Sequence, residues 1–174
     1  MNTLPSISAH IDEKVINKVI QDNFAALAPA YFTLTSNWFV RAYDHYKDID
    51  KFVKECDKLG KKPALRLNGT SDIQWETIEI GGYENIFAMY PQIQFYDYTK
   101  IPTRKVSHIT NYHLTWSYSQ ANDKYASLFE KVPYNKAVVF FDALPSMFKG
   151  LKVIDGDKHD MRFLDKTNSV VGLL

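Results

Sequence analysis

Apolar and polar positions follow two different patterns along this chain. Apolar residues recur at helical spacing over Ser8–Ala28 and Asp50–Leu59, and Gly60 follows the second segment as a C-terminal cap. Short runs rich in β-branched and aromatic residues predict strands. The predicted strands are Tyr31–Thr35, Pro63–Leu67, Gln92–Tyr98, Tyr112–Tyr118, Lys136–Phe141 and Leu151–Asp155. The helices or connectors predicted between them are Trp38–Tyr46, Tyr83–Tyr90, Thr103–Thr110 and Ala121–Lys131.

The alternation of strands and helices predicts one α/β domain over residues 1–174, with a helical part at 1–60 and a βα core at 61–174. The strand spacing favours a mostly parallel sheet, and an open or incomplete βα barrel is the alternative arrangement. The apolar run Ala137–Phe141 is typical of a strand covered on both faces. Two shorter apolar pieces, Met161–Leu164 and Ser169–Leu173, are candidates for a strand pair.

Composition narrows the functional classes. The chain has 21 basic and 20 acidic residues, so no overall field draws it to nucleic acid or to an anionic membrane. The single Cys56 can form neither an internal disulfide nor an iron–sulfur cluster held by three or four cysteines of this chain. No apolar run is long enough to span a membrane, and the first residues lack a signal-peptide pattern. We therefore expect a soluble, cytoplasmic protein.

Polar side chains follow the predicted strands at their C-terminal ends, where parallel α/β folds bind ligands. The candidate ligand-binding residues are Arg66, Asn68, Asp72, Asp97, Tyr98, Lys100, Arg104, Ser117, Asp142 and Arg162. Because Asp, Asn, Ser and Gly also form turns wherever strands end, ordinary turn chemistry is the competing interpretation.

The densest group of ionisable residues follows the strand Leu151–Asp155. Asp157, His159 and Asp160 are candidate catalytic residues, since carboxylates and an imidazole can move protons. Asp155, Asp157 and Asp72 are candidate ligands for Mg²⁺ or Mn²⁺, which prefer oxygen donors. Arg66 and Arg162 are the nearest cations by motif. The absence of a complete metal-ligand motif favours arginine pairing of these carboxylates over a metal.

The segment 68–72, Asn-Gly-Thr-Ser-Asp, resembles a phosphate-cradling turn of small residues with free amides. The chain lacks both the P-loop spacing and a Gly-x-Gly-x-x-Gly motif, which argues against a nucleotide loop. The middle of the chain is rich in aromatic residues, and core packing explains most of them. Tyr96, Tyr98 and Arg104 are kept as candidates for stacking on nucleic-acid bases.

Four blocks of the sequence resemble the phage gene-product-eighty-eight-like family. They are Leu65–Ile73, Phe95–Lys100, Asn111–Ser119 and Val153–Asp165, within a resemblance that runs from about Pro63 to the C-terminus. The resemblance implies a protein of phages or mobile elements, working in the host cytoplasm, and the family has no settled activity. Longer relatives carry a cysteine-rich N-terminal segment. This chain lacks that segment, so the resemblance implies no cluster-dependent chemistry here.

Three hypotheses follow from these residues and from the resemblance. In the first, the protein binds a phosphate-bearing ligand, a nucleotide or a nucleic acid at the C-terminal edge of the sheet. In the second, it is a metal-dependent phosphoryl or phosphodiester enzyme that uses the carboxylates after the last predicted strand. In the third, it is a non-enzymatic inhibitor that contacts a host defence protein.

Overall fold

The computed structural model describes residues 31–35, 45–119 and 123–174. Within these ranges, eight strands form one sheet in the order β1-β2-β3-β4-β5-β8-β7-β6. The strands are β1 (Tyr31–Thr35), β2 (Lys62–Arg66), β3 (Gln94–Thr99), β4 (Tyr112–Ser117), β5 (Asn135–Val139), β6 (Met147–Phe148), β7 (Leu151–Asp155) and β8 (Ser169–Leu173). The helices are α1 (His45–Lys58), α2 (Ile86–Met89) and α3 (Asp123–Ala126), and 3₁₀ turns cover Trp75–Thr77, Gly156–Lys158 and Arg162–Leu164.

Neighbouring strands run parallel throughout this sheet except in the β6–β7 hairpin. The predicted α/β fold with a mostly parallel sheet is therefore confirmed. The order begins with β1 and ends with β6, which is compatible with an open or incomplete barrel. The predicted helix Ser8–Ala28 and most of Trp38–Tyr46 lie outside the described residues.

Helix α1 forms because its apolar residues recur at helical spacing. Ile49, Phe52 and Cys56 are buried on one side of the helix. Its C-terminus is closed by a Schellman arrangement, in which the Lys61 amide donates to the Cys56 carbonyl at 2.9 Å and Gly60 takes a φ of 61°. The buried side packs against Leu65, Phe95 and other residues of one hydrophobic cluster.

The strand register sorts side chains onto two faces of the sheet. We name the first the helix face, because Leu65, Phe95 and Leu114 pack there with α1 and α2, and Trp116 packs there with the segment after β4. The alternate residues point to the opposite face, which we name the crossover face. It carries Arg66, Tyr96, Tyr98, His113, Thr115 and Ser117.

Residues 156–168 join β7 to β8 across the crossover face, and the topology explains why. Parallel connections are almost always right-handed, and β8 turns back to insert between β5 and β7, so its connection must take the opposite side of the sheet from the earlier ones. Met161 and Arg162 are buried there, and the Phe163 ring lies 5.4 Å from that of Tyr96. A Cβ on Gly156 would lie 2.8 Å from the Gly172 carbonyl oxygen, so only glycine allows this approach.

Two of the three described helices are shorter than the sequence pattern predicts, whereas α1 begins earlier than predicted, at His45. Over Tyr83–Tyr90 the helix is only α2, because the Asn85 side chain caps the Ala88 amide and starts the helix there. Residues 103–110 form turns, and the described part of the predicted helix Ala121–Lys131 reduces to α3.

Two predictions about the C-terminal third are wrong. Met161–Leu164 is not a strand paired with Ser169–Leu173, because its backbone bonds locally from Leu164 N to Met161 O and β8 pairs instead with β5 and β7. The other concerns the apolar run Ala137–Phe141, which is not a strand covered on both faces along its whole length. Strand β5 ends at Val139, where the side chain is 56% exposed, and Phe141 is 96% exposed.

Candidate functional site

A cleft of about 340 Å³ opens at the C-terminal ends of β2, β3 and β4. Strand residues and the loop after β2 line it together. The lining residues are Arg66, Asn68, Gly69, Thr70, Ser71, Asp72, Tyr98, Thr99, Lys100 and Ser117. The structure therefore brings together six of the predicted ligand-binding residues, namely Arg66, Asn68, Asp72, Tyr98, Lys100 and Ser117.

Asn68 is the internal brace of the loop after β2. Its side-chain Oδ1 accepts from the Ser71 hydroxyl at 2.9 Å, the Ile73 amide at 3.1 Å and the Trp75 indole at 3.1 Å. Its Nδ2 donates to the Ile73 carbonyl at 3.0 Å, and its own amide donates to Asp97 Oδ1 at 2.7 Å. A buried residue with this many bonds fixes the loop in one shape.

The bracing leaves four consecutive backbone amides unused. Within the described part of the chain, the N–H groups of Gly69, Thr70, Ser71 and Asp72 donate to no acceptor. All four residues line the cleft. Consecutive amides without acceptors form the kind of concave donor surface that binds anions in proteins.

Beneath the loop lies a group of side chains that we name the buried network: Asn68, Asp72, Glu76, Asp97, Arg104 and Tyr112. Arg104 is at its centre and donates to Glu76 Oε1 at 2.9 Å, to Asp72 Oδ1 at 3.2 Å and to the Tyr112 hydroxyl at 2.8 Å. Asp72 also accepts from the Lys100 amide at 2.7 Å. Its carboxylate is thus held on the protein side of the cleft.

Asp97 is the most perturbed carboxyl of the buried network. It is fully buried and accepts from the Asn68 amide and from the Tyr112 hydroxyl at 3.0 Å. Burial raises its pKa to about 7, and this effect outweighs the opposing influence of the two hydrogen bonds and of Arg104 and Arg66. Because it points to the helix face below Asn68, Asp97 supports the loop and does not line the cleft.

Arg66 and Tyr98 form the other wall of the cleft. The Arg66 guanidinium lies 4.7 Å from the Tyr98 ring centroid, and its Nη1 donates to Asp160 Oδ2 at 3.0 Å. The Tyr98 hydroxyl donates to Asp160 Oδ1 at 3.2 Å. Burial, then the nearby Asp160 charge, raises the pKa of Tyr98 above its ordinary value. Asp160 is thereby a counter-ion to Arg66 at the cleft.

Five side chains between the sheet and residues 156–168 form what we name the polar layer: Arg66, His113, Thr115, Arg162 and Asp165. Arg66 belongs both to this layer and to the wall of the cleft. Arg162 is fully buried and lies 3.3 Å from Asp165 Oδ2 through Nη1 and 3.3 Å from His159 Nδ1 through Nη2. Its Nη2 also donates to the Gly156 carbonyl at 3.2 Å. Burial raises the pKa of Asp165, and burial with the Arg162 charge lowers that of His113.

The residues predicted to be catalytic are split among three surroundings. Asp160 binds Arg66, His159 packs beside Arg162 and Asp165, and Asp157 accepts from the Leu174 amide at 3.0 Å. The split arises because the 3₁₀ turn after β7 sends successive side chains in different directions. Proximity in sequence therefore does not bring these residues together.

The predicted metal ligands Asp155, Asp157 and Asp72 do not form a metal-binding group. Across residues 31–35, 45–119 and 123–174, no three His, Cys, Asp or Glu side chains are arranged to hold a metal ion. Asp155 instead caps the Asp157 amide at 3.0 Å, and Asp72 is held by Arg104. The predicted arginine pairing is seen for Asp160, which contacts Arg66. Asp155 instead lies 3.8 Å from Lys158, Asp157 accepts from the Leu174 amide, and Asp72 pairs with Arg104, which was not the predicted cation.

Three further predicted residues lie away from the cleft. Asp142 is exposed beyond β5, Arg104 belongs to the buried network, and Arg162 belongs to the polar layer. Sequence reasoning missed Glu76 and Asp165, and treated Tyr112 as a core aromatic residue. Thr115 is one of the polar residues expected at the end of its strand, and it shares the face of Ser117 because it lies two residues before it.

Comparison with known proteins identifies the family of the chain but indicates no activity or ligand. Within the described ranges, no helix has the length and apolar character needed to cross a bilayer. Neither a curated protein nor a solved structure shows significant similarity to the chain. The family model Gene product 88 matches residues 21–174, which extends the resemblance well before Pro63. Because that match covers most of the chain, the protein belongs to the Gene product 88 family of phage proteins.

Proposed function

We propose that the protein binds a phosphate-bearing ligand in the cleft, with the loop 69–72 as the phosphate cradle. The observation that carries this proposal is a run of four consecutive amides that have no acceptor among the described residues and belong to residues that line the cleft. Oxyanions are strong acceptors, and a phosphate can receive several such N–H groups at once. The Asn68 brace supports the proposal because it fixes these donors before a ligand arrives.

The charges around the cleft favour an anion. Asp72 and Asp160 are the acidic residues beside it, and Arg104 and Arg66 respectively compensate them. The Lys100 ammonium lines the cleft and forms no ion pair within the described part of the chain. The guanidinium of Arg66 on the opposite wall is already paired with Asp160. The ammonium of Lys100 is therefore the charge at the cleft that favours an anion.

The size of the cleft narrows the ligand class. A volume of about 340 Å³ lies at the lower end of the range for pockets that hold small molecules, roughly 300–1,000 Å³. It suits a phosphorylated metabolite or a single nucleotide better than a continuous nucleic-acid strand. The Arg66–Tyr98 pair offers such a ligand a flat surface beside the phosphate cradle.

A thermal-shift and calorimetric titration tests this proposal. Inorganic phosphate and a nucleoside monophosphate should raise the Tm, whereas the matching nucleoside without phosphate should leave it unchanged, since stabilisation follows binding to the folded state. Lys100→Gln should weaken phosphate binding about tenfold, the effect of losing one charged hydrogen bond. Lys131→Gln removes an exposed lysine outside the cleft and serves as the matched control.

Two results would overturn the proposal. One is a Tm that does not respond to either phosphate compound at millimolar concentration. The other is equal loss of phosphate binding in Lys100→Gln and Lys131→Gln, which would indicate attraction to general positive charge and not a cleft.

A further inference from the structure

Asp160 reaches the cleft wall from the connection 156–168, and two residues that line the cleft bind its carboxylate. Arg66 Nη1 donates to Oδ2 at 3.0 Å, and the Tyr98 hydroxyl donates to Oδ1 at 3.2 Å. Across the described residues, this contact is the only ion pair that Arg66 forms. The cation of this wall is therefore occupied by an anion that the chain itself supplies.

The two partners of this ion pair are anchored unequally. The Arg66 side chain is 20% exposed and its guanidinium lies against the Tyr98 ring, whereas the Asp160 side chain is 46% exposed. Arg66 holds Asp160 through one nitrogen, although a guanidinium can bind a carboxylate through two parallel hydrogen bonds. Partly exposed ion pairs are weak, so the carboxylate can move into water while Arg66 stays in place.

The release of Asp160 requires no movement of the backbone. The Arg162 amide donates to the Asp160 carbonyl at 2.9 Å, and Met161 and Arg162 are buried. Rotation of the exposed Asp160 side chain is enough to free the guanidinium of Arg66. The connection 156–168 can thus stay folded while the charge at the cleft changes.

Arg66 and the loop 69–72 border the same cleft, because Arg66 ends β2 and the loop follows that strand. A ligand that fills a cleft of about 340 Å³ meets both. A phosphate group carries more charge at neutral pH than a carboxylate and offers more acceptor oxygens, and guanidinium groups bind it well. A phosphate in the cleft therefore competes with Asp160 for Arg66.

We infer that Asp160 is a built-in competitor of the ligand, so that phosphate binding replaces the Asp160 carboxylate at Arg66. This inference rests on the proposed function, because the entering phosphate is the one that the 69–72 amides hold. An external carboxylate offers Arg66 nothing that Asp160 lacks, and Asp160 is present at high local concentration because it belongs to the same chain. Asp160 is thus a specificity residue that admits phosphates and excludes carboxylates.

Titration calorimetry with inorganic phosphate tests the inference in two variants of matched charge. Asp160→Asn keeps the shape of the side chain but removes the competing charge, and phosphate should bind about tenfold more tightly. Asp157→Asn removes the same charge from the same connection, at a carboxylate that accepts from the Leu174 amide. It should change phosphate affinity by no more than about twofold, because salt screens an exposed charge away from the cleft.

A double-mutant cycle shows whether Asp160 acts through Arg66. Arg66→Met removes the guanidinium for which phosphate and Asp160 compete. In the Arg66→Met background, Asp160→Asn should therefore change phosphate affinity by no more than about twofold. A gain of about tenfold that persists without the guanidinium would overturn the inference.

The outcomes separate this inference from the proposed function. If phosphate binds the wild type and Lys100→Gln weakens it, but Asp160→Asn has no effect or weakens binding, the competitor is wrong and the cradle stands. Equal gains in Asp160→Asn and Asp157→Asn would also overturn it, since they would indicate general charge. If phosphate binds neither the wild type nor Asp160→Asn, both proposals fail. A gain confined to Asp160→Asn and lost with Arg66→Met supports the competitor.

Discussion

The buried network and the polar layer lie on opposite faces of the same three strands, yet their hydrogen bonding differs. In the network, no buried side-chain nitrogen or oxygen lacks a partner, and three side chains of different elements converge on Arg104. In the layer, Nε of both Arg66 and Arg162, His113 Nε2 and Thr115 Oγ1 have no hydrogen-bond partner among the described residues, and Arg162 Nη1 faces Asp165 Oδ2 at 3.3 Å. The network therefore holds the loop after β2 in place through complete hydrogen bonding, whereas the layer leaves part of its hydrogen-bonding capacity unused.

The largest expected difference between these regions comes from removing their central arginines. Arg104→Met should reduce the free energy of unfolding by about 3–5 kcal/mol, because it leaves the carboxylates of Glu76 and Asp72 without their cationic partner. Arg162→Met should cost less, about 1–3 kcal/mol, because Arg162 pairs with one carboxylate, that of Asp165, whereas Arg104 pairs with two. Urea unfolding of both variants measures the contrast. An equal or larger loss in Arg162→Met would mean that the layer is as well satisfied as the network.

Asn68 should be the next most sensitive position. Asn68→Ala removes the bonds to Ser71, Ile73 and Trp75 together and should cost about 2–4 kcal/mol. Asn85→Ala, which removes one helix-cap bond, is the matched control and should cost about 1 kcal/mol. Denaturant midpoints of the two variants give the comparison. Similar values would show that the brace is no stronger than an ordinary cap.

Substitutions at Gly156 and Gly172 test how tightly the two faces of the sheet pack at β8. Gly156→Ala brings a Cβ to 2.8 Å from a backbone oxygen, which cannot move away, so a loss of about 2–3 kcal/mol is expected. Gly172→Ala brings a Cβ to 2.6 Å from Leu144 Cδ2 and 2.8 Å from Val153 Cγ1, side chains that can shift. Its loss should be about 1–2 kcal/mol. The reverse ranking of the two melting temperatures would contradict this description.

The titration of Asp97 gives a gradual change in the free energy of unfolding, which is small for each pH unit. Its pKa is raised from 3.8 to about 7 in the folded state, so the folded protein holds this proton more tightly than the unfolded chain. The resulting stability is complete below about pH 4 and is lost as the pH rises to about 7. Relative to Asp97→Asn, the wild type should lose at most about 1.4 kcal/mol per pH unit across that window. A stability difference that is flat from pH 4 to 7 would contradict the raised pKa.

Most strands of the sheet could be predicted because each one is indicated by residues that are close together in sequence. Runs dominated by apolar residues, such as Ala64–Leu67 and Leu114–Trp116, indicate strands that are mostly buried. The position of β8 between β5 and β7 could not be predicted, since the same run would suit a neighbour of any parallel strand. Nor could pattern alone show that Arg162–Leu164 closes a 3₁₀ turn over β3 and β4.

Part of the candidate site could also be predicted, because the residues that form it are close together in sequence. The Asn68–Asp72 loop carries its turn chemistry within five residues, so its role as a wall of the cleft could be inferred. The ionisable residues after β7 wrongly suggested a single catalytic group. The 3₁₀ turn there directs Asp157 toward the Leu174 amide and leaves Asp160 beside Arg66. The bond from Tyr112 to Asp97 joins two strands, and no pattern within either strand indicates it.

The insertion of β8 has a consequence for the order of assembly. Within the described residues, the β6–β7 hairpin pairs with the rest of the sheet through β8, although the hairpin precedes β8 in the chain. During synthesis the strands β1 to β5 can associate as they emerge, and Phe148 of the hairpin can pack against Tyr118, Phe129 and Phe140, but the hairpin has no strand partner in the sheet until residues 169–173 arrive. The cover of the crossover face, residues 156–168, is fixed at the same step. The polar layer is therefore among the last parts of the molecule to form, and loss of β8 would separate the hairpin from the sheet and uncover the polar layer together.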